Sequence, residues 1–276
     1  WRQYRKGKMG MIGLTILIGF AAMALFAIFA DASGVDPSKV SGPVLAPPSR
    51  DYPMGTDDFG LSVLTLVVQG SKISLLVGLT ATVLSMTIGA TIGIVAGYRG
   101  GAIDTVLMRL TDFGLVIPWL ALAIVLASII GQSLEAIILV IGVTSWPATA
   151  RLVRAQVLSI REHPYIERAK ALGAPNRHMI VRHVLPNAMP VIFANTILTI
   201  AIAILSETAL SFLGLGDPTK PSWGTILEEA FAAGATTLGA WWWIGFPGLC
   251  ITLVVLAFTM CGFAFDEIIN PKLRDR

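Results

Sequence analysis

The chain of 276 residues is 55% hydrophobic and only 13% charged, whereas an average soluble domain carries about 25% charged residues. This composition excludes an ordinary soluble protein, because a chain of this length cannot hide so much apolar surface from water. It predicts instead that the lipid bilayer is the solvent. The net charge of +3 does not point to a nucleic-acid partner, and Cys250 and Cys261 lack the spacing of a metal or redox site.

Six apolar segments are predicted as membrane-spanning helices, since about 20 mostly apolar residues are needed to cross the hydrocarbon core. In chain order they are Met9–Ala30, Ile73–Gly97, Phe113–Leu134, Ala136–Ala150, Pro186–Leu213 and Phe246–Phe265. The fourth is short and becomes long enough if Arg151 and Arg154 extend toward the headgroups. The predicted fold class is therefore an all-α membrane protein with six transmembrane helices.

The first segment has a second interpretation as a cleaved signal peptide, because basic residues precede it and Ala30-Asp31-Ala32 resembles a cleavage site. Its 22 uncharged residues exceed the 7–15 that are usual for a signal core, which favours an uncleaved anchor. Residues 1–72 are accordingly predicted to form an anchor helix with an external segment, and residues 73–276 to form a five-helix core.

The distribution of Lys and Arg predicts the orientation in the membrane. With a cytoplasmic N-terminus, sixteen of the 20 Lys and Arg residues fall on the cytoplasmic side. Cytoplasmic loops of membrane proteins carry such an excess of basic residues. We therefore expect a multi-pass protein of the cell (inner) membrane with both termini in the cytoplasm.

The basic cytoplasmic segment at 159–186 contains the signals of a short capped helix. Pro164 suits the first turn of a helix, Gly173 suits the position just past its end, and Pro175 follows. These signals predict a helix from about Pro164 to Leu172, with Tyr165, Ala169 and Leu172 on one small apolar face. Such a helix can insert into a groove of a partner, and the alternative is a solvated basic loop that only sets the topology.

The fifth predicted span contains the polar residues that are candidates for a transport path. Asn195, Thr199 and Ser206 share one helix stripe, and Glu207 adds a carboxyl group inside the span. A charge at this depth is costly and faces protein or water. The carboxyl group either lines a translocation route or bonds to a neighbouring helix as a structural group, and the residues leave both interpretations open.

A metal site is not predicted from the three histidines. His178 and His183 are five residues apart, which is a poor same-face spacing in an α-helix, and no acidic residue accompanies them at ligand spacing. We also find no nucleophile–base pair within the spans, so that no catalytic residue is predicted.

The segment "ERAKALG", followed by nine residues and "HVLP", resembles the EAA loop of ABC-importer permeases. Matches to the family pattern fall at Glu167, Ala169, Gly173, Leu185 and Pro186, and departures at Arg168 and His183. The stretches "MGTDDFGLSVLTLVVQGSKISLLVG" and "SETALSFLGLGDPTKPSWG" are similar to the dipeptide/oligopeptide/nickel branch, and the N-terminal anchor to its C-type subunit. Further departures are Leu61 and Phe263.

This resemblance implies the type I permease fold and a non-catalytic role in peptide import, with nickel or another small solute as an alternative cargo. The helix around Glu167 would dock into a cytoplasmic ATPase. The residues implied in this coupling are Tyr165, Glu167, Arg168, Ala169, Leu172 and Gly173.

The implied partners are a homologous second permease, two cytoplasmic ATPase domains or subunits, an extracytoplasmic substrate-binding protein and membrane lipid. ATP and Mg would be bound by the ATPases, since the sequence contains no G-x-x-x-x-G-K-[ST] motif. An ion-gradient-driven secondary transporter is the other functional class, but we see no internal repeat, and the acidic residues inside the spans are too few for the ion ligands that it would require.

Overall fold

The computed structural model describes residues 7–32 and 42–269, and the regular structure of these residues is helical. The helices are α1 Lys8–Ala32, α2 Val63–Arg99, α3 Gly101–Val116, α4 Trp119–Ile130, α5 Leu134–Arg161, α6 Pro164–Ala171, α7 Asn176–Met179, α8 Leu185–Leu210, α9 Trp223–Ala232 and α10 Trp241–Ile269. The π-helical turns Ile180–Val184 and Ser211–Leu215 extend α8 at both ends. Some of the Lys and Arg residues on which the predicted orientation rests, at 1–6, 39 and 270–276, lie outside the described residues.

Five of the helices are long and apolar enough to cross a membrane, namely α1, α2, α5, α8 with its extensions, and α10. The third predicted span differs from the expectation: α3 and α4 meet at 89° and complete the six spans only as one broken span. Ile117 is extended there, with φ −71° and ψ 128°. Pro118 explains the break, because a proline disfavours helical geometry in the preceding residue and has no N–H to donate.

The second and fourth spans are longer than the sequence predicts. Helix α2 begins at Val63 rather than at Ile73, and α5 continues from Leu134 to Arg161. The proposed boundary between 72 and 73 therefore lies inside α2, and the division of the chain at this point stays a prediction.

The closest packing joins α2 to α5 along a row of small residues. Gly89, Gly93 and Gly97 follow one another every four residues on α2. A Cβ atom at Gly93 would lie 2.6 Å from the carbonyl oxygen of Ala150, and one at Gly97 would lie 2.9 Å from Cβ of Val157. Glycine at these positions lets the two backbones approach, as small residues do in membrane helices generally.

Two ion pairs join α3 to α5 at the same end of the molecule. Arg154 forms a two-point contact with Asp104, in which its NH2 group donates to Oδ2 at 2.6 Å. Arg151 donates to Asp112 at 2.7 Å. Two-point Arg–carboxylate contacts are among the strongest side-chain hydrogen bonds. The Arg154–Asp104 pair in particular therefore fixes α3 against α5.

Candidate functional site

Helix α6 has the capped form that the sequence predicts. It starts with Pro164 in the first turn and ends at Ala171. Beyond this end, Gly173 has a positive φ of +82°. The N–H of Gly173 donates to the carbonyl oxygen of Lys170 at 2.9 Å, and the N–H of Ala174 donates to the carbonyl oxygen of Ala169 at 3.1 Å. This pair of bonds is a Schellman motif, which needs a left-handed residue and so favours glycine.

One face of α6 packs against the membrane helices and the other faces outward. Ile166 is fully buried and Ala169 is half-buried, both in a cluster with Tyr98, Val157 and Met179. Tyr165 is 39% exposed and Leu172 is 89% exposed. The structure thus does not place Ala169 on the exposed face with Tyr165 and Leu172.

Ile166, which is not among the coupling residues predicted from the sequence, anchors the inner face of α6. Ile166 and Ala169 are three residues apart and therefore neighbours on a helix surface, which is the signal that could have identified them. Glu167 and Arg168 are exposed, so the predicted coupling residues other than Ala169 lie on the outward side or at the exposed end of α6.

Polar contacts tie the surroundings of α6 to α2. The hydroxyl group of Tyr98 donates to Oδ1 of Asn176 at 3.2 Å, and Nζ of Lys170 lies 5.6 Å from the centre of the Tyr98 ring. Arg161 donates to the carbonyl oxygen of Tyr98 at 3.2 Å. These contacts surround Tyr98 at the end of α2, and the contact with Lys170 brings α6 close to this end.

The three histidines and Tyr165 form a chain of ring contacts beside α6. The ring centres of His163 and Tyr165 are 5.6 Å apart, those of Tyr165 and His183 6.1 Å, and those of His178 and His183 5.6 Å. His178 and His183 meet on one face, contrary to the prediction from their spacing, because the π-helical turn at Ile180–Val184 brings residues five apart together. No group of three or more His, Cys, Asp or Glu side chains suited to a metal occurs among residues 7–32 and 42–269.

A cavity of about 640 Å³ lies between α5, α8 and the break that separates α3 from α4. Asn195, Thr199 and Ser206 of α8 line it together with Thr149 of α5, which accepts a hydrogen bond from Nδ2 of Asn195 at 3.3 Å. Irregular backbone at membrane depth is tolerated only where it is buried in protein or lines a water-filled space. The broken helix lies directly beside this cavity and forms part of its lining.

Glu207 is not brought to this cavity. Its side chain is 1% exposed, and its carboxyl oxygens accept hydrogen bonds from Ser74 at 3.1 Å and Ser211 at 2.8 Å. Ser74 in turn accepts the N–H of Trp223 at 3.2 Å. Successive residues on a helix point about 100° apart, so Ser206 can face the cavity while Glu207 joins α8 to α2 and α9.

Two departures from the family pattern have defined surroundings. Leu61 packs half-buried against the cluster around Trp223 and Trp242, and its N–H donates to Asp57 at 2.7 Å. Phe263 is 54% exposed on the surface of α10. Nothing in the structure gives Phe263 a functional contact.

Comparisons with known proteins show which family this chain resembles. Residues 89–275 match the family described as "Binding-protein-dependent transport system inner membrane component", and residues 1–58 match the "N-terminal TM domain of oligopeptide transport permease C". The dipeptide transport system permease protein DppC of Bacillus subtilis is 38% identical over 99% of this chain and 85% of its own length.

Another relative and a solved structure agree with these matches. The oligopeptide transport system permease protein OppC of Bacillus subtilis is 33% identical over 99% of this chain and 88% of its own length. The structure of the inward-facing MetNI methionine ABC transporter matches with a TM-score of 0.61 at 20% identity, covering 75% of this chain and 95% of the matched one. At this identity the likeness shows the fold alone.

Proposed function

The chain belongs to the family of binding-protein-dependent transport system inner membrane components, and we propose that it is one of two permease subunits of an ATP-driven importer of di- or oligopeptides. The relatives named for dipeptide and oligopeptide transport match along almost the whole chain, which supports the peptide cargo. The observation that carries the proposal is α6, a capped helix with one buried face and one exposed apolar end.

In the proposed mechanism α6 transmits movement from a cytoplasmic ATPase to the membrane helices. Leu172 and Tyr165 contact the ATPase, and Ile166 carries the movement into the cluster formed by α2, α5 and the start of α8. Helices α5 and α8 also line the cavity. A displacement of α6 therefore changes the shape of the path at the other end of the same helices.

In this proposal the chain itself has no catalytic role. ATP and Mg are bound by two ATPase domains or subunits, whose closure on ATP supplies the movement. An extracytoplasmic binding protein delivers the peptide, and both termini of this chain lie in the cytoplasm. The division into an anchor at 1–72 and a core at 73–276 belongs to the same proposal.

A second, homologous permease completes the path. The α3–α4 segment presents large exposed apolar side chains next to the cavity, including Phe113 at 71% and Val116 at 80% exposure. One wall of the cavity is formed by this exposed segment. A second subunit covering it would enclose the path, whereas six helices alone leave it open to the side.

ATP-dependent peptide uptake by vesicles that contain the assembled transporter tests this function. Gly173→Asp places a charged side chain in a left-handed conformation, where it meets no other atom of the chain within 4 Å. This conformation costs most residues about 1–2 kcal/mol and Asp somewhat less, and the substitution also adds a negative charge at the exposed end of α6. We expect roughly a tenfold loss of uptake while the second permease still co-purifies. Gly101→Asp is the matched control, because Gly101 has φ +58° and equally open surroundings but lies away from α6.

Two outcomes would contradict the proposal. Uptake that is unchanged by Gly173→Asp would remove the coupling role of α6. Uptake that follows a proton or sodium gradient without ATP would favour the secondary-transporter class instead.

A further inference from the structure

A basic pocket lies at the start of the long helix Asn176–Leu215, which comprises α7, α8 and the two π-helical turns. Its volume is about 360 Å³, and it is lined by Arg177, His178 and Arg182 together with the apolar residues Pro175 and Val181. The π-helical turn places Arg177 and Arg182 on one face although they are five residues apart. Within the described residues, neither guanidinium group forms an ion pair with a carboxylate.

The position of this pocket along the chain corresponds to the headgroup level of a membrane. Arg182 is the last Lys, Arg, Asp or Glu residue before Glu207. Val184, Ala188 and Ile192, which follow at intervals of four, are buried against the protein. The apolar run that follows Arg182 is long enough for the hydrocarbon region to begin within about a turn of the helix, which places Arg182 near the headgroups.

An apolar groove of about 480 Å³ lies farther along the same helix. Its walls are contributed by α1, α8 and α10, through Leu14, Leu17, Phe193, Ile197, Phe258 and Phe265. Phe193 is 50% exposed and its ring centre lies 4.9 Å from that of Phe265. The groove presents almost only apolar side chains, which suits a hydrocarbon chain.

The pocket and the groove share one stripe of the helix. Arg182, Pro186, Met189 and Phe193 are all exposed and lie three or four residues apart, opposite the buried stripe. Eleven residues separate Arg182 from Phe193, or about 16 Å at the rise of an α-helix. This separation matches the hydrocarbon thickness of one leaflet, roughly 15 Å.

From this arrangement we infer that the protein binds one anionic phospholipid, with its phosphate between Arg177 and Arg182 and an acyl chain in the groove beside Phe193. Two guanidinium groups that pair with no carboxylate among the described residues complement a headgroup with net negative charge, and basic residues at the cytoplasmic membrane surface attract anionic lipids. A free phosphate would use only the pocket and leave the groove without a role. The inference does not depend on the proposed peptide cargo.

Native mass spectrometry of the purified transporter complex tests the inference. Phosphatidylglycerol and phosphatidylcholine with identical acyl chains are added separately, and the retained lipid is measured. We expect preferential retention of phosphatidylglycerol and roughly a tenfold weakening in the double variant Arg177→Gln and Arg182→Gln. The control is Arg99→Gln with Arg109→Gln, which removes the same charge from two exposed arginines elsewhere on the predicted cytoplasmic side.

A groove variant separates the two parts of the site. Ile197→Trp should fill the groove and weaken phosphatidylglycerol retention, whereas Val83→Trp, at a 63% exposed position on α2, should not. Equal retention of the two lipids, or equal losses in the two double variants, would overturn the inference. Complete displacement of the lipid by inorganic phosphate would assign the pocket to a free anion instead.

Discussion

At the residue scale, the buried carboxyl group of Glu207 joins three elements that surround the cavity without lining it. It accepts hydrogen bonds from Ser74 of α2 and Ser211, and Ser74 accepts the first N–H of α9 at Trp223. Buried polar groups of this kind are stable only while every member has a partner. Of the two interpretations left open by the sequence, this geometry favours the structural one.

Replacing Glu207 by alanine is therefore expected to lower heat stability more than transport. The variant leaves two buried serine hydroxyl groups without their acceptor, at a cost of about 2–4 kcal/mol. Thermal unfolding of the detergent-purified protein measures this loss, and Glu207→Gln, which retains an acceptor, should lose less. A heat-stable Glu207→Ala variant with abolished uptake would instead place the carboxyl group in the transport path.

The carboxyl group of Glu229 on α9, outside the membrane spans, is expected to make the stability of the protein depend on pH. Glu229 is exposed at the surface of α9, and partial desolvation of its carboxyl group, followed by the charges of Glu228, Asp57 and Asp58, raises its pKa to about 7 from 4.5. The folded state therefore binds a proton that the unfolded state releases between these values, so this contribution to stability is present at low pH and lost as pH rises through 7.

We expect Glu229→Gln to raise the unfolding temperature relative to the parent at pH 8 and to leave it unchanged at pH 4.5. Paired unfolding measurements at the two pH values provide the check, with Asp51→Asn as an exposed acidic control. The same difference between Glu229→Gln and the parent at both pH values would show that the carboxyl group does not titrate in this range.

At the element scale, the glycine row of α2 sets the distance to α5. A Cβ atom at Gly93 meets a backbone oxygen of α5 at 2.6 Å, which cannot move aside as a flexible side chain could. Gly93→Ala should thus destabilise the protein by about 1–3 kcal/mol. Gly19→Ala in α1 is the same chemical change with nothing within 4 Å, and it should be neutral or stabilising.

The two glycine variants are compared by thermal unfolding under identical conditions. Equal stability of Gly93→Ala and Gly19→Ala would mean that the α2–α5 contact is looser than described. The direction of the difference does not depend on the cargo or on the partners.

How well the sequence predicted each element depended on how local its determinants were. The limits of α6 follow from Pro164 and Gly173, which act on their own backbone, and the helix was predicted correctly. Its inner face was not, because the burial of Ile166 depends on Tyr98 and Met179, which come from other elements. Counting apolar residues also missed the break at Ile117, although Pro118 was the local signal for it.

At the scale of the whole molecule, the membership of the ABC-importer permease family that the EAA-like loop indicated is confirmed. The cavity was less predictable from sequence. The stripe of Asn195, Thr199 and Ser206 is visible in the sequence, but its partner Thr149 and the broken helix beside it come from distant segments. Only tertiary packing shows that these residues share one space.

The whole-molecule account depends on α6 as the link between this chain and a separate ATPase. The cluster around Ile166 connects α6 to helices α2, α5 and α8, and two of these reach the cavity. Leu172, at 89% exposure, is the largest apolar side chain at the outward end of α6. Leu172 is therefore the position at which a contact with the ATPase can be tested.

Site-specific photo-crosslinking in the assembled transporter tests this link most directly. A photoreactive amino acid replaces Leu172, and in a matched control it replaces Leu238, which is 59% exposed in the segment between α9 and α10. We predict a crosslink from position 172 to the ATPase and none from position 238. An assembly that hydrolyses ATP and takes up peptide but yields no ATPase crosslink from position 172 would contradict the account.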